Sequence, residues 1–229
     1  GYVNDIKGNI EQALDYYKKA LKICSEQTKR PEIENIIFNN VGFIYESIGN
    51  IPLALEYYDK SLKAQEKIGD LGGASSSLTN IGSIYSKMDD DQKALECFHR
   101  SLVIREQIID FKGIAYSLLW IGYLHKKNNE PDKALIYYRK SAQIRQKIND
   151  KEGLAKSYAN IAGIYFNKSN LDSALFYENL GLDLRNQVED RNGIASSLIH
   201  IGRIYFEKNE LKKAKEFVDK GMLASLYLE

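Results

Sequence analysis

The chain has 229 residues, with 32 Lys or Arg side chains against 31 Asp or Glu side chains. Because these charges balance, the sequence offers neither a basic field for nucleic acid or an anionic membrane nor an acidic tail for a basic partner. No apolar run approaches the roughly 18 residues that span a bilayer, so we expect no direct membrane insertion. We therefore expect a soluble protein, with the cytoplasm favoured over the periplasm.

A short motif returns every forty residues along the chain. Each copy carries an apolar residue at its second position, usually Gly at its third, and Tyr or His at its sixth. The copies begin at Asn40, Asn80, Trp120, Asn160 and His200. An alanine recurs in step at Ala54, Ala94, Ala134, Ala174 and Ala214. Five copies in one register predict a single repeat array, with a truncated first repeat at 1–34 and repeats at 35–74, 75–114, 115–154, 155–194 and 195–229.

The chain begins with part of a repeat. Residues Asn9 to Gln27 match the second helix of a repeat, whose first helix is missing or reduced to Gly1–Lys7. We therefore expect one orphan helix before the first complete helix pair.

Each complete repeat is predicted to be two amphipathic helices joined by a tight turn. In the copy at 75–114, Leu78, Ile81 and Tyr85 fall at helical spacing, and helical spacing resumes at Ala94 after three aspartates. The turns combine residues that tolerate left-handed φ with residues that cap the next helix. These turns are Gly49-Asn50, Asp89-Asp90, Asn129-Glu130, Ser169-Asn170 and Asn209-Glu210.

The joints between repeats are equally regular. An aspartate stands at each joint, where it can cap the following helix, and a glycine follows three residues later. The pairs are Asp70 and Gly73, Asp110 and Gly113, Asp150 and Gly153, and Asp190 and Gly193. Since glycine in a helix costs about 1 kcal/mol relative to alanine, its return predicts a close approach to the preceding helix.

The last helix stays apolar at its end, from Met222 to Leu228, where a solenoid normally carries a polar cap. We expect either a further element or a partner to cover this end. Self-association through this C-terminal helix is one alternative.

The aligned copies resemble the tetratricopeptide repeat family, whose signature spaces a large apolar residue, Leu-Gly, Tyr, Ala, Phe and Ala at set intervals. One copy matches it with Leu78, Ile81, Gly82, Tyr85, Ala94 and Phe98, with Ser101 replacing the second Ala. At the Phe position the other copies carry Tyr58, Tyr138 and Val218, whereas Glu178 departs from the pattern. The resemblance implies an all-α, right-handed superhelical solenoid of five helix-turn-helix pairs preceded by the orphan helix.

The repeat is longer than the family's usual unit of about 34 residues. The extra length falls at the end of the second helix, as in 140–148. Such extended units resemble those of bacterial regulatory proteins and of the kinesin light chain and cell-polarity adaptor subfamilies. By analogy, this resemblance implies an adaptor or sensor-input role.

No motif with catalytic chemistry stands out. The sequence contains no phosphate loop, paired zinc-ligand spacing or nucleophile elbow, so we predict no enzymatic activity, no cofactor and no metal. His125 and His200 take positions of the repeated framework and are predicted to be structural, as is Cys97 in a slot that tyrosine fills in other copies. The run Asp89–Asp91 lacks the ligand ladder of a calcium loop and is better read as a capped turn.

The first helix of each repeat has a second face, opposite the core. In the family this face lines a concave groove, and exposed apolar area on it usually marks a binding surface. Here the face carries apolar residues at Phe43, Tyr116, Leu119, Tyr123 and Ile199, and polar or cationic ones at Ser83, Lys127, Lys156 and Arg203. The alternative is that these apolar residues are buried against neighbouring first helices.

A ladder of asparagines flanks this face at Asn40, Asn80 and Asn160, and it is interrupted by Trp120 and His200. An Asn side chain offers a donor and an acceptor, so it can hold the backbone of an extended peptide. The alternative is a hydrogen bond between repeats.

These observations favour a non-catalytic protein-interaction module that binds a peptide or helix of a partner protein in its concave groove. The alternative is a sensory or regulatory segment of a larger bacterial signalling protein, such as a histidine kinase or transcription regulator.

Overall fold

The computed structural model describes residues 2–24 and 30–226 of the chain. Over these ranges the regular secondary structure is entirely helical. The helices are α1 (Tyr2–Ile23), α2 (Pro31–Ser47), α3 (Ile51–Ile68), α4 (Leu71–Lys87), α5 (Asp91–Gln107), α6 (Phe111–Lys127), α7 (Pro131–Lys147), α8 (Lys151–Asn167), α9 (Leu171–Gln187), α10 (Arg191–Glu207) and α11 (Leu211–Leu226). Within the described part of the chain, none of them combines the length and apolar character needed to cross a bilayer.

The helices fall into two compact units, Gly1–Asp110 and Phe111–Glu229. In the first unit, α1 packs against α2, α2 pairs with α3, and α4 pairs with α5, while α3 contacts α4. In the second unit the pairs are α6 with α7, α8 with α9 and α10 with α11, and successive pairs are joined by contacts of α7 with α8 and of α9 with α10. The predicted all-α architecture of helix-turn-helix repeats is confirmed.

Local chemistry sets where the helices begin and end. Asp70, Asp150 and Asp190 each accept a hydrogen bond from the backbone N–H three residues later, at 2.9 to 3.0 Å, and so cap α4, α8 and α10. Every turn and joint from Gly49 to Asn209 contains one residue with positive φ, as the turn chemistry predicts. Most of these residues are Gly, Asn, Asp or Ser, but Ile109 holds φ at 57°.

The glycine that follows the joint aspartate makes room for an arginine or glutamine from the preceding helix at three joints, those of Gly73, Gly153 and Gly193. Arg145 Nη1 donates to Asp150 Oδ2 at 2.9 Å, and a Cβ placed on Gly153 would lie only 1.4 Å from that nitrogen. Gly73 meets Gln65 in the same way, and its added Cβ would lie 2.7 Å from Gln65 Nε2. The predicted close approach to the preceding helix is therefore confirmed.

The core of a repeat is an aromatic ring laid over the signature glycine. Tyr58 and Tyr138 are buried, and a Cβ on Gly42 or Gly122 would lie 2.7 to 2.8 Å from their rings. Glu178 occupies the same position in α9 and is only 3% exposed. Its repeat carries Ala162 where the others carry glycine, which fits the slimmer side chain opposite.

The ends of the array differ in part from the sequence-based expectations. α1 begins at Tyr2 rather than Asn9, so the segment expected to be a remnant of a first helix is continuous with the orphan helix. The first helices of the pairs begin at residues 31, 71, 111, 151 and 191, so the repeat boundaries drawn at 35, 75, 115, 155 and 195 fall within them. Of the apolar stretch Met222 to Leu228 expected to be covered, Tyr227 and Leu228 lie outside the described residues; in the described part of α11, Met222 and Leu223 are exposed.

Candidate functional site

An aromatic cluster lies on the exposed face of α6 in the second unit. Trp120 packs edge-to-face between Tyr116 and Tyr123, with ring centroids 6.3 and 5.6 Å away. Trp120 is half-buried, whereas Tyr116 and Tyr123 are 42% and 41% exposed. Three rings held together by one helix form a rigid, partly wetted surface that can bury apolar groups of a partner.

The predicted groove residues of the first unit differ from one another in exposure and in hydrogen bonding. Phe43 on α2 is 63% exposed, so its ring is open to solvent. Asn80 Nδ2 donates to Asn39 Oδ1 at 3.2 Å, which is the hydrogen bond between repeats that the sequence left as an alternative. Asn40 and Ser83 are half-buried.

Two of the predicted groove residues contact the second helices. Leu119 is half-buried and packs on the cluster that contains Leu135 and Tyr138. Ile199 is 39% exposed, but its Cγ1 would lie 2.8 Å from a Cβ on Gly221 of α11. Leu119 therefore belongs to the core packing, whereas Ile199 contacts α11 and is nearly as exposed as Tyr123.

A pocket of about 310 Å³ lies in the second unit, against the faces of α8 and α10. The side chains and backbone that line it come from four helices: Lys126 of α6, Ala159 to Asn167 of α8, Glu178 of α9, and His200, Arg203 and Ile204 of α10. Gly163 opens the pocket, since only Lys126 Nζ, at 4.0 Å, lies near the place where its Cβ would stand. Volumes of this size suit small ligands or a few atoms of a peptide.

Glu178 forms one wall of the pocket and is held from behind by polar groups. Its side chain is 4% exposed; one carboxylate oxygen lies 3.1 Å from His200 Nδ1 and the other accepts from Ser197 Oγ at 3.3 Å. Arg185 also donates to Ser197, which links the buried carboxylate to a buried guanidinium. A buried charge needs such partners, because burial without them is costly.

Two cations enter the pocket from opposite neighbours of α8. Lys126 reaches Gly163 from α6, and the Arg203 guanidinium lies 5.0 Å from the centre of the Phe166 ring, from α10. Gly163 and Phe166 are three residues apart and thus share one face of α8. In the described ranges, neither cation has a carboxylate within ion-pair distance.

Two of the remaining polar residues of the prediction, Asn160 and Lys156, are engaged within α8. Asn160 Nδ2 donates to the Lys156 carbonyl at 3.0 Å, although Asn160 also lines the pocket. Lys156 pairs with Glu152 at 2.5 Å, and Lys127 is exposed at the end of α6.

The residues judged structural from the sequence sit in structural environments. His125 stacks on Tyr137 with ring centroids 5.2 Å apart, and its Nδ1 lies 2.6 Å from Glu130 Oε2. Cys97 is buried, and burial raises the pKa of its thiol to about 11. Among the described residues, no three side chains of the metal-ligating types converge on one point.

The prediction from sequence did not include three of the residues that shape the pocket. Lys126 occupies the position held by Glu46 in the first unit, and Glu178 replaces a core aromatic. Gly163 replaces the bulkier Phe43, Ser83, Tyr123 and Arg203 of the other copies. Each departure is visible in the aligned copies, and together they were the signal that could have located the pocket.

The paired helices, the stacked repeats and the exposed faces of the first helices define a helical repeat protein of the kind that serves as an interaction scaffold. Tetratricopeptide repeat models match residues 33–107 and, in a second model, residues 1–27, 115–148 and 195–228, which together exceed half of the chain. The chain belongs to the tetratricopeptide repeat family. A sequence search among curated proteins finds no match.

Solved structures share the fold at low sequence identity. BtubC (BKLC) from P. vanneervenii is 16% identical, with a TM-score of 0.84 over 97% of this chain and 91% of that chain. The apo form of RapI is 17% identical, with a TM-score of 0.74 over 98% of this chain and 94% of that chain. A Rap protein complexed with Competence and Sporulation Factor is 15% identical, with a TM-score of 0.69 over 100% of this chain and 73% of that chain.

Proposed function

We propose that the chain is a non-catalytic interaction module that binds a peptide or helix of a partner protein on the exposed faces of its first helices. The aromatic cluster of Tyr116, Trp120 and Tyr123 carries this proposal. Tetratricopeptide repeats act in general as non-catalytic scaffolds, and we extend that description to this chain.

The cluster has the properties of a binding hot spot. Tyrosine and tryptophan are enriched at such sites because they bury large apolar areas at a low cost in side-chain entropy. Tyr116 and Tyr123 flank Trp120 on one helix, so the three rings are held in place before a ligand arrives. A ligand that covers them gains apolar contact without first ordering the surface.

The test is to select peptides from a displayed random library on the whole chain and to measure their affinity by fluorescence. Trp120 is the single tryptophan, so its emission reports directly on the cluster. We expect Tyr116→Ala and Tyr123→Ala each to weaken binding about tenfold or more, as loss of a hot-spot residue does.

The matched control is Phe176→Ala. Phe176 is 58% exposed on α9, the second helix of its pair, so the variant removes an aromatic ring of similar size from a different face. We expect no change of affinity for this variant. Peptides that bind the tyrosine variants as tightly as the original chain would refute the proposal.

A second candidate is a regulatory segment of a bacterial signalling protein. It is favoured by the likeness in fold to RapI and to the Rap protein solved with Competence and Sporulation Factor. The reading frame that encodes the chain tests it: a kinase or DNA-binding domain in the same frame supports this candidate, and a frame with the repeats alone refutes it.

A further inference from the structure

We propose that the pocket of the second unit binds an oxyanion, a carboxylate or a phosphoryl group, between the Lys126 ammonium and the Arg203 guanidinium. This inference rests on the proposed function in one respect: the oxyanion is taken to belong to a side chain of the captured peptide.

The two cations have no counter-charge within ion-pair distance among the described residues. Lysines at the comparable ends of first helices are ion-paired: Lys87 with Glu46 at 2.6 Å, and Lys168 with Asp132 at 2.5 Å. Lys126 and Arg203 instead meet the same face of α8 with no such partner in the part of the chain that the structure describes. Two like charges brought to one pocket repel each other, and an anion between them removes that repulsion.

In the first unit, α2 carries a carboxylate, Glu46, at the position of Lys126, whereas α4 carries Ser86 there. Glu46 accepts hydrogen bonds from Lys87 Nζ at 2.6 Å and from the Tyr58 hydroxyl at 2.9 Å. In α6 of the second unit the sign is reversed, because Lys126 replaces the glutamate, while α8 and α10 carry Phe166 and Phe206. No described carboxylate takes the place of Glu46 beside Lys126, so a ligand is the source we infer for an anion there.

The equivalent tyrosine adds to this comparison. Tyr138 corresponds to Tyr58 and is fully buried, yet its hydroxyl has no hydrogen-bond partner among the described residues. The hydrogen bond from the Tyr58 hydroxyl to Glu46 in the first unit therefore has no counterpart at Tyr138. The second unit has an open pocket beside α8 instead.

Glu178 is the one carboxylate in the pocket wall, and it does not neutralise the cations. Its oxygens are engaged by His200 and Ser197, and its side chain is 4% exposed. Arg203 can donate two parallel hydrogen bonds to an oxyanion, while Lys126 acts as a compact charge. The volume of about 310 Å³ admits an acidic side chain together with part of its backbone.

The experiment is an NMR titration of the whole chain, labelled with ¹⁵N, with sodium succinate and separately with inorganic phosphate at constant ionic strength. We expect saturable shifts of the Gly163 amide and of the Asn167 side-chain amide. Lys126→Gln and Arg203→Gln should each weaken binding about tenfold, the effect of losing one charged hydrogen bond. Both side chains are exposed, so unchanged spectra elsewhere will show that the variants fold.

The matched control is Lys168→Gln, which removes the same charge from the end of α8 while its ammonium is already paired with Asp132. Its affinity should equal that of the original chain. Saturation by succinate assigns a carboxylate ligand, and saturation by phosphate assigns a phosphoryl ligand. Shifts that never saturate, or equal affinity in a Lys126→Gln, Arg203→Gln double variant, overturn the proposal.

Failure of anion binding can be distinguished from failure of peptide binding. Tyr116→Ala and Tyr123→Ala lie outside the pocket lining and should leave the succinate or phosphate affinity unchanged. If peptide capture fails while the anion titration succeeds, the pocket binds a free oxyanion and only the assignment to a peptide side chain falls.

Discussion

Substitution of alanine for glycine has opposite expected effects at two places on the same helix. In most exposed helix interiors, Gly→Ala stabilises by up to about 1 kcal/mol. At Gly153 of α8, however, the added methyl group would lie 1.4 Å from Arg145 Nη1 and 2.2 Å from Asp150 Oδ2. Both side chains must move to admit it.

The cost follows from what these side chains do. Arg145 is 7% exposed at its side chain and bonds to Asp150 at 2.9 Å, while the other Asp150 oxygen caps α8 through the Gly153 N–H at 3.0 Å. Burial lowers the pKa of the Arg145 guanidinium even with that carboxylate beside it, so its charged form depends on the bond to Asp150. Loss of the charged hydrogen bond costs about 1.5–3 kcal/mol and loss of the cap about 1 kcal/mol. After the gain in helix propensity, the net loss is about 2 kcal/mol.

The assay is urea unfolding of the full chain followed by Trp120 fluorescence, which reports on the second unit. Gly153→Ala should lower the free energy of unfolding by about 2 kcal/mol. The control on the same helix is Gly163→Ala: its Cβ meets nothing nearer than Lys126 Nζ at 4.0 Å, so stability should rise by up to about 1 kcal/mol. A Gly153→Ala chain as stable as the original would refute the packing account of the joint.

Three further outcomes follow from single features of the described helices. Ile109 is 68% exposed and holds a left-handed φ of 57°, so Ile109→Gly should raise stability by about 1 kcal/mol in urea unfolding, whereas Asn149→Gly should change little; equal effects would contradict this. The raised thiol pKa of Cys97, about 11, keeps it protonated at pH 8, so mass spectrometry should find it alkylated far more slowly in the folded chain than in urea, and equal rates would exclude the burial. Lys126→Glu should give the Tyr138 hydroxyl an acceptor and stabilise the second unit by about 1 kcal/mol; a loss of stability would show that the tyrosine hydroxyl is not within reach.

The period, the helix pairs and the caps could be predicted from the sequence because each is decided by residues close together in the chain. Asp150 and Gly153 meet within one turn of helix, and the left-handed turn residue at Asn129 needs only its own backbone. Such features repeat with the sequence, so five copies confirm one another.

The exposed face was harder to predict because it depends on contacts between helices. Thr79 of α4 is buried, and its Oγ1 lies 3.0 Å from Ser101 Oγ of α5. Leu119, at the equivalent position of α6, is also packed inward. A residue advances about 100° round a helix, so a position beside the core stripe can face either the core or solvent, and the crossing angle of the partner helix decides which.

The pocket escaped prediction for a different reason: its parts lie on separate copies and none is a motif by itself. Lys126 is one of many lysines, and Gly163 reads as a second small residue beside Ala162. Glu178 is conspicuous in the alignment, but a departure in one copy does not say which helices surround it. Only packing of α6, α8, α9 and α10 around one space joins them.

Lys126, Gly163 and Glu178, which depart from the other copies, all line the same pocket. Their shared location indicates where a polar group of a ligand is bound. A change that only maintained the fold would keep an apolar side chain at the position of Glu178, as Tyr138 and Val218 do in the neighbouring repeats. Glu178 instead buries a carboxylate, Gly163 weakens the middle of a helix, and Lys126 places a cation beside Arg203. A buried carboxylate and a glycine inside a helix each cost stability, and natural proteins concentrate such costs at functional sites. The pocket rather than the open ring of Phe43 is therefore where we expect a polar ligand group to be selected, with the aromatic surface of α6 supplying apolar contact.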